Sequence, residues 1–234
     1  MIVKPIKTSI FHEGDDLLAF VVSYVKKLSE KSVIVITSKI VALAEGRTAV
    51  IENAETKERL IRQESEIAIA TKYTWLTVKD GMVMASAGID ESNANGKLIL
   101  LPKDSFSTAR LLRQKLCLRY GLQELGVLIT DSRTIPLRAG VAGVALGYAG
   151  FRGIKDYRGT PDIFGRKFKV SRTDVADSLA TAAVFVMGEG NEQQPLAIIK
   201  QAPLTFCERV NRQELRIDIE DDMYLPLFSG LRKA

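Results

Sequence analysis

Residues Gly126–Arg166 read GVLITDSRTIPLRAGVAGVALGYAGFRGIKDYRGTPDIFGR and hold eight of the seventeen glycines in the chain. A buried-strand pattern over Val127–Thr130 ends at Asp131 and Ser132, and the glycine-rich run follows. Glycine permits tight turns and close approach of the backbone to another group. The spacing therefore predicts either a chain that approaches a charged ligand or a twisted, bulged sheet in which glycines relieve crowding.

The overall composition is typical of a globular protein with a substantial core. Of the 234 residues, 46% are hydrophobic and 26% are charged, which fits one large domain or two small ones. No apolar run is long enough to span a bilayer and no signal-peptide pattern is present, so we expect a cytoplasmic protein without a membrane partner.

The charge balance limits the choice of partners. The formal net charge of +5 fits either nucleic acid or an anionic small molecule. Its basic residues are dispersed, and no lysine or arginine run is interleaved with aromatic residues. We therefore expect small-molecule substrates and no nucleic-acid partner.

Several kinds of site are disfavoured by what the chain lacks. Cys117 and Cys207 form neither a disulfide framework nor a metal-ligand spacing, and His12 is the single histidine. This argues against zinc sites built from histidines and against histidine-dependent triads. No P-loop, dinucleotide fingerprint or nucleophile-elbow motif occurs, so a nucleotide would have to bind by another device.

Hydrophobic periodicity predicts strands and helices that do not strictly alternate, which indicates an α+β fold. Asp104 is the expected N-cap of one helix, which Gly121 ends, and Ser171 or Thr173 is the expected N-cap of another. Strands are predicted at 2–6, 33–36, 82–86, 98–101, 127–130 and 195–200. Helices are predicted at 13–28, 55–71, 104–121 and 171–187.

Three carboxylates stand where predicted elements end. Asp90 and Asp131 each follow a buried-strand pattern, and Glu189 follows a helix, where the dipole disfavours an anion unless a cation is near. Together with the Ser132 hydroxyl they are hard oxygen ligands suited to magnesium or manganese. Taken singly, each carboxylate is more often structural, and the sequence alone leaves their convergence open.

Several blocks of residues resemble the coenzyme F420-0:L-glutamate ligase family. They occur in the family's order, and the resemblance extends from about Gly14 to Lys200. The blocks are Gly88–Asn93 (GIDESN), Asp131–Ser132 with Pro136 and Arg138, Asp156–Gly159 (DYRG), Asp162, Phe164–Arg166 and Met187–Glu189. The resemblance implies one α+β domain over residues 1–234, two lobes with the glycine-rich segment 126–170 in the smaller one, and an intertwined homodimer.

The resemblance also implies an activity. Members of the family use a nucleoside triphosphate, typically GTP, to join L-glutamate to a carboxylate by an amide bond. A carboxylate is a poor electrophile, so the expected route is an acyl phosphate that the glutamate amine attacks. The implied acceptor is coenzyme F420-0 or a related cofactor. A folate γ-glutamate ligase is the alternative, and a non-catalytic nucleotide-binding regulatory protein is the second alternative.

The resemblance assigns roles to individual positions. Two divalent ions, magnesium or manganese, are expected, and a monovalent cation such as potassium is a further expectation. The implied metal ligands are Asp90, Asp131, Ser132 and Glu189. The implied nucleotide contacts are Ser9, Ile10, Phe11, Ser38, Lys39, Asn93, Gly188, Gly190 and Asn191.

Three arginines are candidates for the chemistry itself. Arg138 and Arg158 are expected to contact substrate carboxylates or phosphates, for which guanidinium forks are suited, and Arg166 is a third candidate. The alternative for these side chains is pairing within the chain, with Asp156 and Asp162.

The chain departs from the family pattern at some of these positions. Leu43 stands where the family often carries a lysine. The family's D-T-x-G-R-P-W-R motif is replaced by residues 131–138, with Ile135 and Leu137 among the changes. These departures leave open the acceptor, the choice between GTP and ATP, and the number of glutamates added.

Overall fold

The computed structural model describes residues 1–51 and 53–228, and a five-stranded sheet lies at its centre. The strands are β1 Ile2–Ile6, β2 Ser32–Thr37, β3 Thr48–Val50, β4 Ile67–Ala70, β5 Trp75–Lys79, β6 Met82–Ala85, β7 Lys97–Ile99, β8 Leu125–Thr134, β9 Val141–Ala149, β10 Ile154–Asp156, β11 Arg172–Asp174 and β12 Leu196–Lys200. The helices are α1 Leu17–Tyr24, α2 Ser38–Ala44, α3 Ala54–Gln63, α4 Ser105–Tyr120, α5 Val175–Met187 and α6 Leu225–Phe228.

The central sheet has the strand order β1-β12-β2-β8-β9. Strands β2 and β8 are parallel, with Val35 opposite Leu128, and the other pairs are antiparallel. When both faces of a parallel pair are covered, the sequence of each strand is a continuous run of apolar residues. This explains the run from Val33 to Ile36, and it confirms the predicted strand there.

The two faces of the sheet carry separate hydrophobic clusters. On one face, α1 and α4 pack against the sheet through residues such as Val21 and Leu116, which meet Ile34. On the other face, α5 packs through Ala180 against the side that includes Val35. The mixture of helices and strands confirms the α+β class. None of the helices in the described part of the chain is long and apolar enough to cross a membrane.

Smaller sheets accompany the central one. Strands β4-β5-β6 form a three-stranded sheet, β3 pairs with β7, and β10 pairs with β11. A third hydrophobic cluster, which includes Ile61 and Leu98, joins α3 to the segment that follows β6. The two-lobed arrangement stays a prediction, as does the place of residues 126–170 in a smaller lobe; strands β8 and β9 of that segment belong to the five-stranded sheet.

The glycines of β9 relieve crowding. A Cβ atom added at Gly143 would lie 2.4 Å from the carbonyl oxygen of Ala180, and one added at Gly147 would lie 2.5 Å from the backbone nitrogen of Phe106. Strand β9 is thus in contact with α5 and α4 at distances that exclude a side chain. Its register against β8 shifts between Ile129 and Thr130. These features favour the second interpretation of the glycine-rich segment, a bulged sheet, for these positions.

Gly143→Ala is expected to lower the free energy of unfolding by about 3 kcal/mol, because the helix backbone opposite cannot move aside as a flexible side chain would. For a chain of this size the melting temperature should fall by roughly 6–12 °C, measurable by differential scanning calorimetry. Gly140→Ala is the control: its φ is +88° and nothing lies within 4 Å of the added Cβ. It should cost only about 1 kcal/mol of backbone strain. Equal losses from both variants would contradict the crowding explanation.

Strand β8 is longer than predicted. The apolar pattern suggested an end at Thr130, with Asp131 and Ser132 following the strand. The structure corrects this, because antiparallel pairing with β9 continues to Thr134 and sets Asp131 opposite Val144 and Ser132 opposite Gly143. Both polar residues are therefore fixed by strand geometry and not by a loop.

Other predicted bounds are confirmed or corrected. Asp104 caps α4 by accepting a hydrogen bond from the backbone of Ser107, and Gly121 ends the helix with a φ of 67°. Neither predicted cap of α5 is right: residues 172–174 form β11, and Asp174 caps the helix. The predicted helix at 55–71 is wrong in its second half, because residues 67–70 pair with β5.

Candidate active site

A cavity of about 870 Å³ lies where the parallel strands β2 and β8 end. Carboxyl ends of neighbouring parallel strands are common ligand sites, because loops diverge there and leave a crevice. Thr37 ends β2, Thr130 and Asp131 lie in β8, and the loop after α5 closes one side. The predicted residues that line this cavity are Ser9, Ile10, Phe11, Lys39, Asn93, Gly188, Gly190, Asn191, Asp90, Asp131, Ser132 and Glu189.

Asp90 is presented by a strained turn. All three residues of the 3-10 turn Ser86–Gly88 have positive φ, between 49° and 71°, which is uncommon for residues with a side chain. The Thr77 hydroxyl accepts a hydrogen bond of 2.8 Å from the Ala87 backbone and supports the turn. The chain then pairs with β7 through Asp90, so the carboxylate is held at the rim of the cavity.

The Asp90 carboxylate has three hydrogen-bond donors. Lys39 Nζ donates to Oδ2 at 2.7 Å, the Ser92 hydroxyl donates to the same oxygen, and the Ser92 backbone donates to Oδ1. Burial would raise the pKa of Asp90, but these hydrogen bonds outweigh it and leave the pKa below its ordinary value. Asp90 is therefore an anion at neutral pH.

Asp131 lies in a very different environment. Its pKa is raised to about 6, mainly by burial and also by the charge of Asp90, although hydrogen bonds from Ser132 and Ser38 lower it in part. Ser38 does not line the cavity; it is buried, and its hydroxyl supports Asp131 from behind. At neutral pH this carboxylate is largely ionised but poorly compensated, which is the state expected of a group that awaits a cation.

Ser132 and Glu189 meet on another side of the cavity. The Ser132 hydroxyl donates to Glu189 Oε2 at 3.0 Å, although the two residues are 57 positions apart. Helix α5 ends at Met187, so Glu189 stands just beyond its C-terminus, as the sequence predicted. The contact joins the end of β8 to the loop after α5.

Hydrogen bonds anchor the loop after α5 to two other segments and close it on itself. The backbone of Thr8 donates to the carbonyl of Gln193, and Asn93 Nδ2 donates to the carbonyl of Gly190 at 3.1 Å. The carboxylate of Glu192 turns back and accepts from the backbone of Gly190 at 2.8 Å. The predicted nucleotide segments, distant in sequence, are thus hydrogen-bonded to one another.

Phe11 takes part differently from its neighbours. Its ring is 5% exposed and packs edge-on against Phe20, with 4.9 Å between ring centroids. Ile10 beside it is largely exposed, and the Ser9 backbone donates to the Tyr24 hydroxyl at 2.8 Å. Phe11 therefore anchors this segment in the core, and only its backbone and edge remain for a ligand.

The donor set fits divalent cations, although it is not gathered into one cluster. Among residues 1–51 and 53–228 no three histidine, cysteine, aspartate or glutamate side chains are close enough together to form a metal site. Of the four predicted ligands, Ser132 and Glu189 are hydrogen-bonded to each other, and the charge of Asp90 acts on Asp131. Within the described chain Thr130 Oγ1, next to Asp131 in β8, is buried without a hydrogen-bond partner, so a polar partner is missing at this end of the strand.

The arginine candidates lie elsewhere. Arg138, Arg158 and Arg166 are absent from the described lining of the cavity. Arg158 pairs with Asp156, as the alternative of pairing within the chain predicted. The hydrogen bonds from Arg158 lower the pKa of Asp156 to about 2. Arg138 lies in the turn between β8 and β9 beside Ile135. Their proposed contacts with substrates stay predictions.

Some lining residues were not singled out from the sequence. Lys97 and Glu13 form an ion pair across the cavity wall, and Thr130 and Glu192 also line it. Leu43 lines the cavity where the family often has a lysine. Lys97 and Thr130 were indicated only by their position close to predicted ligands, whereas Leu43 was already noted as a departure from the family pattern. Among the described lining residues, five carboxylates oppose two ammonium groups, a formal charge of −3 in a chain of net charge +5.

Comparison with known proteins finds consistent similarity over most of the chain. A family described as F420-0:Gamma-glutamyl ligase matches residues 5–201. The Coenzyme F420:L-glutamate ligase of Methanopyrus kandleri is 35% identical over 206 residues, which cover 80% of this chain and 81% of the relative. The proteins of the same name from Methanococcus maripaludis strain C7 and Archaeoglobus fulgidus are each 31% identical, over 83% and 82% of this chain and 85% and 83% of the relatives.

Proposed function

The chain belongs to the F420-0:gamma-glutamyl ligase family, and from this premise we propose that it joins L-glutamate to the carboxylate of coenzyme F420-0 or a closely related cofactor. The energy would come from a nucleoside triphosphate, with GTP as the proposed species. One observation supports this most. A single cavity is lined by all four proposed metal ligands and by eight of the nine proposed nucleotide contacts.

The proposed reaction has two steps. The acceptor carboxylate attacks the γ-phosphorus of the nucleotide, the nucleoside diphosphate leaves, and an acyl phosphate forms. The glutamate amine then attacks the acyl carbon, phosphate leaves, and the amine nitrogen loses a proton. Phosphoryl transfer of this kind depends mainly on positioning and on neutralisation of charge.

The chain's own residues would supply the positioning. Asp90, Asp131, Ser132 and Glu189 would hold two divalent ions, magnesium or manganese, which would neutralise the triphosphate and the transferring phosphoryl group. Asn93 and the loop 188–191, which Asn93 contacts through the carbonyl of Gly190, would bind the nucleotide together. The cavity's volume, about 870 Å³, is in the range usual for ligand pockets.

Mass spectrometry tests the proposal directly. The protein is incubated with manganese, L-glutamate, GTP or ATP, and either F420-0 or a reduced folate, with potassium and sodium compared. A gain of one glutamate residue or more on F420-0 supports the proposal, and the size of the gain counts the glutamates added. A gain on the folate alone would instead support a folate γ-glutamate ligase. No gain on either acceptor, together with metal-dependent GTP binding, would support a regulatory protein instead.

No described residue favours the folate acceptor over F420-0. Ile135 and Leu137, at the positions where the family pattern is altered, are exposed in the turn between β8 and β9 and do not line the cavity. The acceptor therefore stays part of the proposal, and the paired reactions decide it.

The homodimer is also proposed, and exposed apolar side chains support it. Phe185 on α5, Leu137 in the β8–β9 turn and Phe164 between β10 and β11 are each at least 85% exposed. Large apolar side chains that are this exposed are the kind that interaction surfaces cover. We expect twice the chain mass in size-exclusion chromatography with light scattering, and a shift to monomer for Phe185→Ser. Tyr73→Ser is the control, because Tyr73 is equally exposed at 85%, far from these elements in sequence. A monomeric wild type would contradict the dimer.

A further inference from the structure

The Lys39 ammonium group is bound like a cation in an oxygen site. Its Nζ atom lies 2.7 Å from Asp90 Oδ2, 2.7 Å from the Ser92 carbonyl oxygen and 3.0 Å from the Ser92 hydroxyl oxygen. The side chain is only 25% exposed, and both residues that hold it line the cavity. One carboxylate, one carbonyl and one hydroxyl oxygen are hard donors, of the kind that also bind magnesium or manganese.

This arrangement creates a competition at Asp90. The same carboxylate is a proposed metal ligand, and an ammonium and a divalent ion repel each other at contact distance. A divalent ion that binds to Asp90 must therefore displace the ammonium, which then needs new acceptors. The phosphate oxygens of a nucleotide would supply them, and a lysine side chain is long and flexible enough to move without its backbone.

We propose that Lys39 holds the cation position at Asp90 in the free protein and transfers its ammonium group to nucleotide phosphate when metal and nucleotide bind together. The proposal rests on the proposed function, in which the cavity takes both ligands. It adds a coupling between the binding of metal and of nucleotide. Metal that binds alone must displace the ammonium from Asp90, whereas nucleotide that binds with the metal offers the ammonium its phosphate oxygens. Each ligand should therefore tighten the binding of the other by the same factor.

Lys97 provides a matched control in the same cavity. It also pairs with a carboxylate, Glu13, which is outside the proposed metal ligands. Lys39→Met and Lys97→Met remove the same charge from the same cavity, so they share any general electrostatic effect on cation binding. Only the first variant frees a proposed metal ligand.

Manganese binding without nucleotide tests the proposal. The free manganese signal in electron paramagnetic resonance gives the affinity, and the readout does not require catalysis. We expect Lys39→Met to bind manganese about tenfold more tightly than wild type and Lys97→Met to differ by less than threefold. Lys39→Arg, which keeps the positive charge, should stay near the wild-type affinity. Circular dichroism checks that each variant is folded, and Lys39→Gln serves as a second neutral variant if Lys39→Met is not.

The coupling is measured in a second titration. In wild type, saturating GTP should tighten manganese binding by at least tenfold more than it does in Lys39→Met. Weaker manganese binding by Lys39→Met would show that the lysine only stabilises the position of Asp90, and this would overturn the proposal. Equal gains in Lys39→Met and Lys97→Met would overturn it as well. A ligase reaction that fails while the Lys39 effect is present would count against the proposed function alone.

Discussion

Replacing Asp131 with asparagine is expected to reduce ligase turnover by about a thousandfold or more and to stabilise the metal-free protein at neutral pH. The loss of activity follows because this carboxylate lines the cavity and is a proposed metal ligand, and electrostatic stabilisation of charge in an active site is commonly worth this much. An asparagine is nearly isosteric but carries no charge. The fold should therefore persist while cation binding is lost.

The gain in stability follows from the environment of Asp131. Burial raises its pKa to about 6 from an ordinary value of 3.8, so the folded chain holds a proton that the unfolded chain has already released in that interval. The stabilising contribution is complete below pH 3.8 and is lost as pH rises to about 6. At pH 7 the ionised group costs about 3 kcal/mol, and asparagine removes this cost.

The measurement pairs thermal denaturation over pH 4–8 with a turnover assay. Without metal, Asp131→Asn should melt several degrees above wild type at pH 7, and the difference should shrink toward pH 4. Asp174→Asn is the matched control, because burial raises the pKa of Asp174 to about 6 as well, but this residue caps α5 and does not line the cavity. Asparagine also caps helices, so this variant should share the pH trend and keep full turnover.

The two parts of this prediction can fail separately. Asp131→Asn with wild-type turnover would contradict the metal-ligand role. A variant that is less stable than wild type at pH 7 and equally stable at pH 4 would show that the ionised carboxylate is compensated in the free protein, against the pKa of about 6.

Removing divalent metal is expected to weaken nucleotide binding by at least a hundredfold. The described lining of the cavity has a formal charge of −3, because Lys39 and Lys97 are outnumbered by five carboxylates. A triphosphate brings several more negative charges to the same volume, and in a cavity of low dielectric this repulsion is poorly screened. Two divalent ions would make the net charge of the cavity positive, so that the site would attract the nucleotide.

Isothermal titration of GTP in EDTA and in manganese measures this effect. Both buffers are brought to the same ionic strength with sodium chloride, so that screening of surface charge is equal and only specific cation binding differs. Ser132→Ala and Glu189→Gln should each give an intermediate loss in manganese and none in EDTA. GTP affinity that does not depend on manganese would contradict the proposed metal set.

The local predictions succeeded where a residue's neighbours in sequence determine its environment. The run Val33–Ile36 is buried on both faces of the sheet, so its apolar pattern alone identified β2. Asp104 caps its helix through its own backbone turn, and Gly121 ends the same helix because its left-handed φ is favourable for glycine. The family blocks were also recognisable from the sequence, in the order typical of the family. The comparisons confirm the family that these blocks indicated.

The predictions failed where pairing across the chain decides the outcome. Strand β8 continues past its apolar run because β9 pairs with Asp131 and Ser132, and polarity alone gave no sign of this. Residues 67–70 have weak helical spacing, but β5 and β6 provide a sheet for them to join. The true cap of α5, Asp174, was missed because β10 draws residues 172–174 into a ladder.

For the site, the sequence by itself determined which chemical groups are available: three carboxylates near element ends, a hydroxyl, and family blocks in a fixed order. Only the tertiary structure decided that Lys39 meets Asp90 across 51 positions and that Ser132 meets Glu189 across 57. It also decided that Asp131 is half-buried in the cavity wall and that, within the described chain, the buried hydroxyl of Thr130 beside it has no hydrogen-bond partner. Sequence patterns report how each segment is buried, whereas contacts between side chains depend on how the parallel pair β2 and β8 brings distant loops to one edge of the sheet.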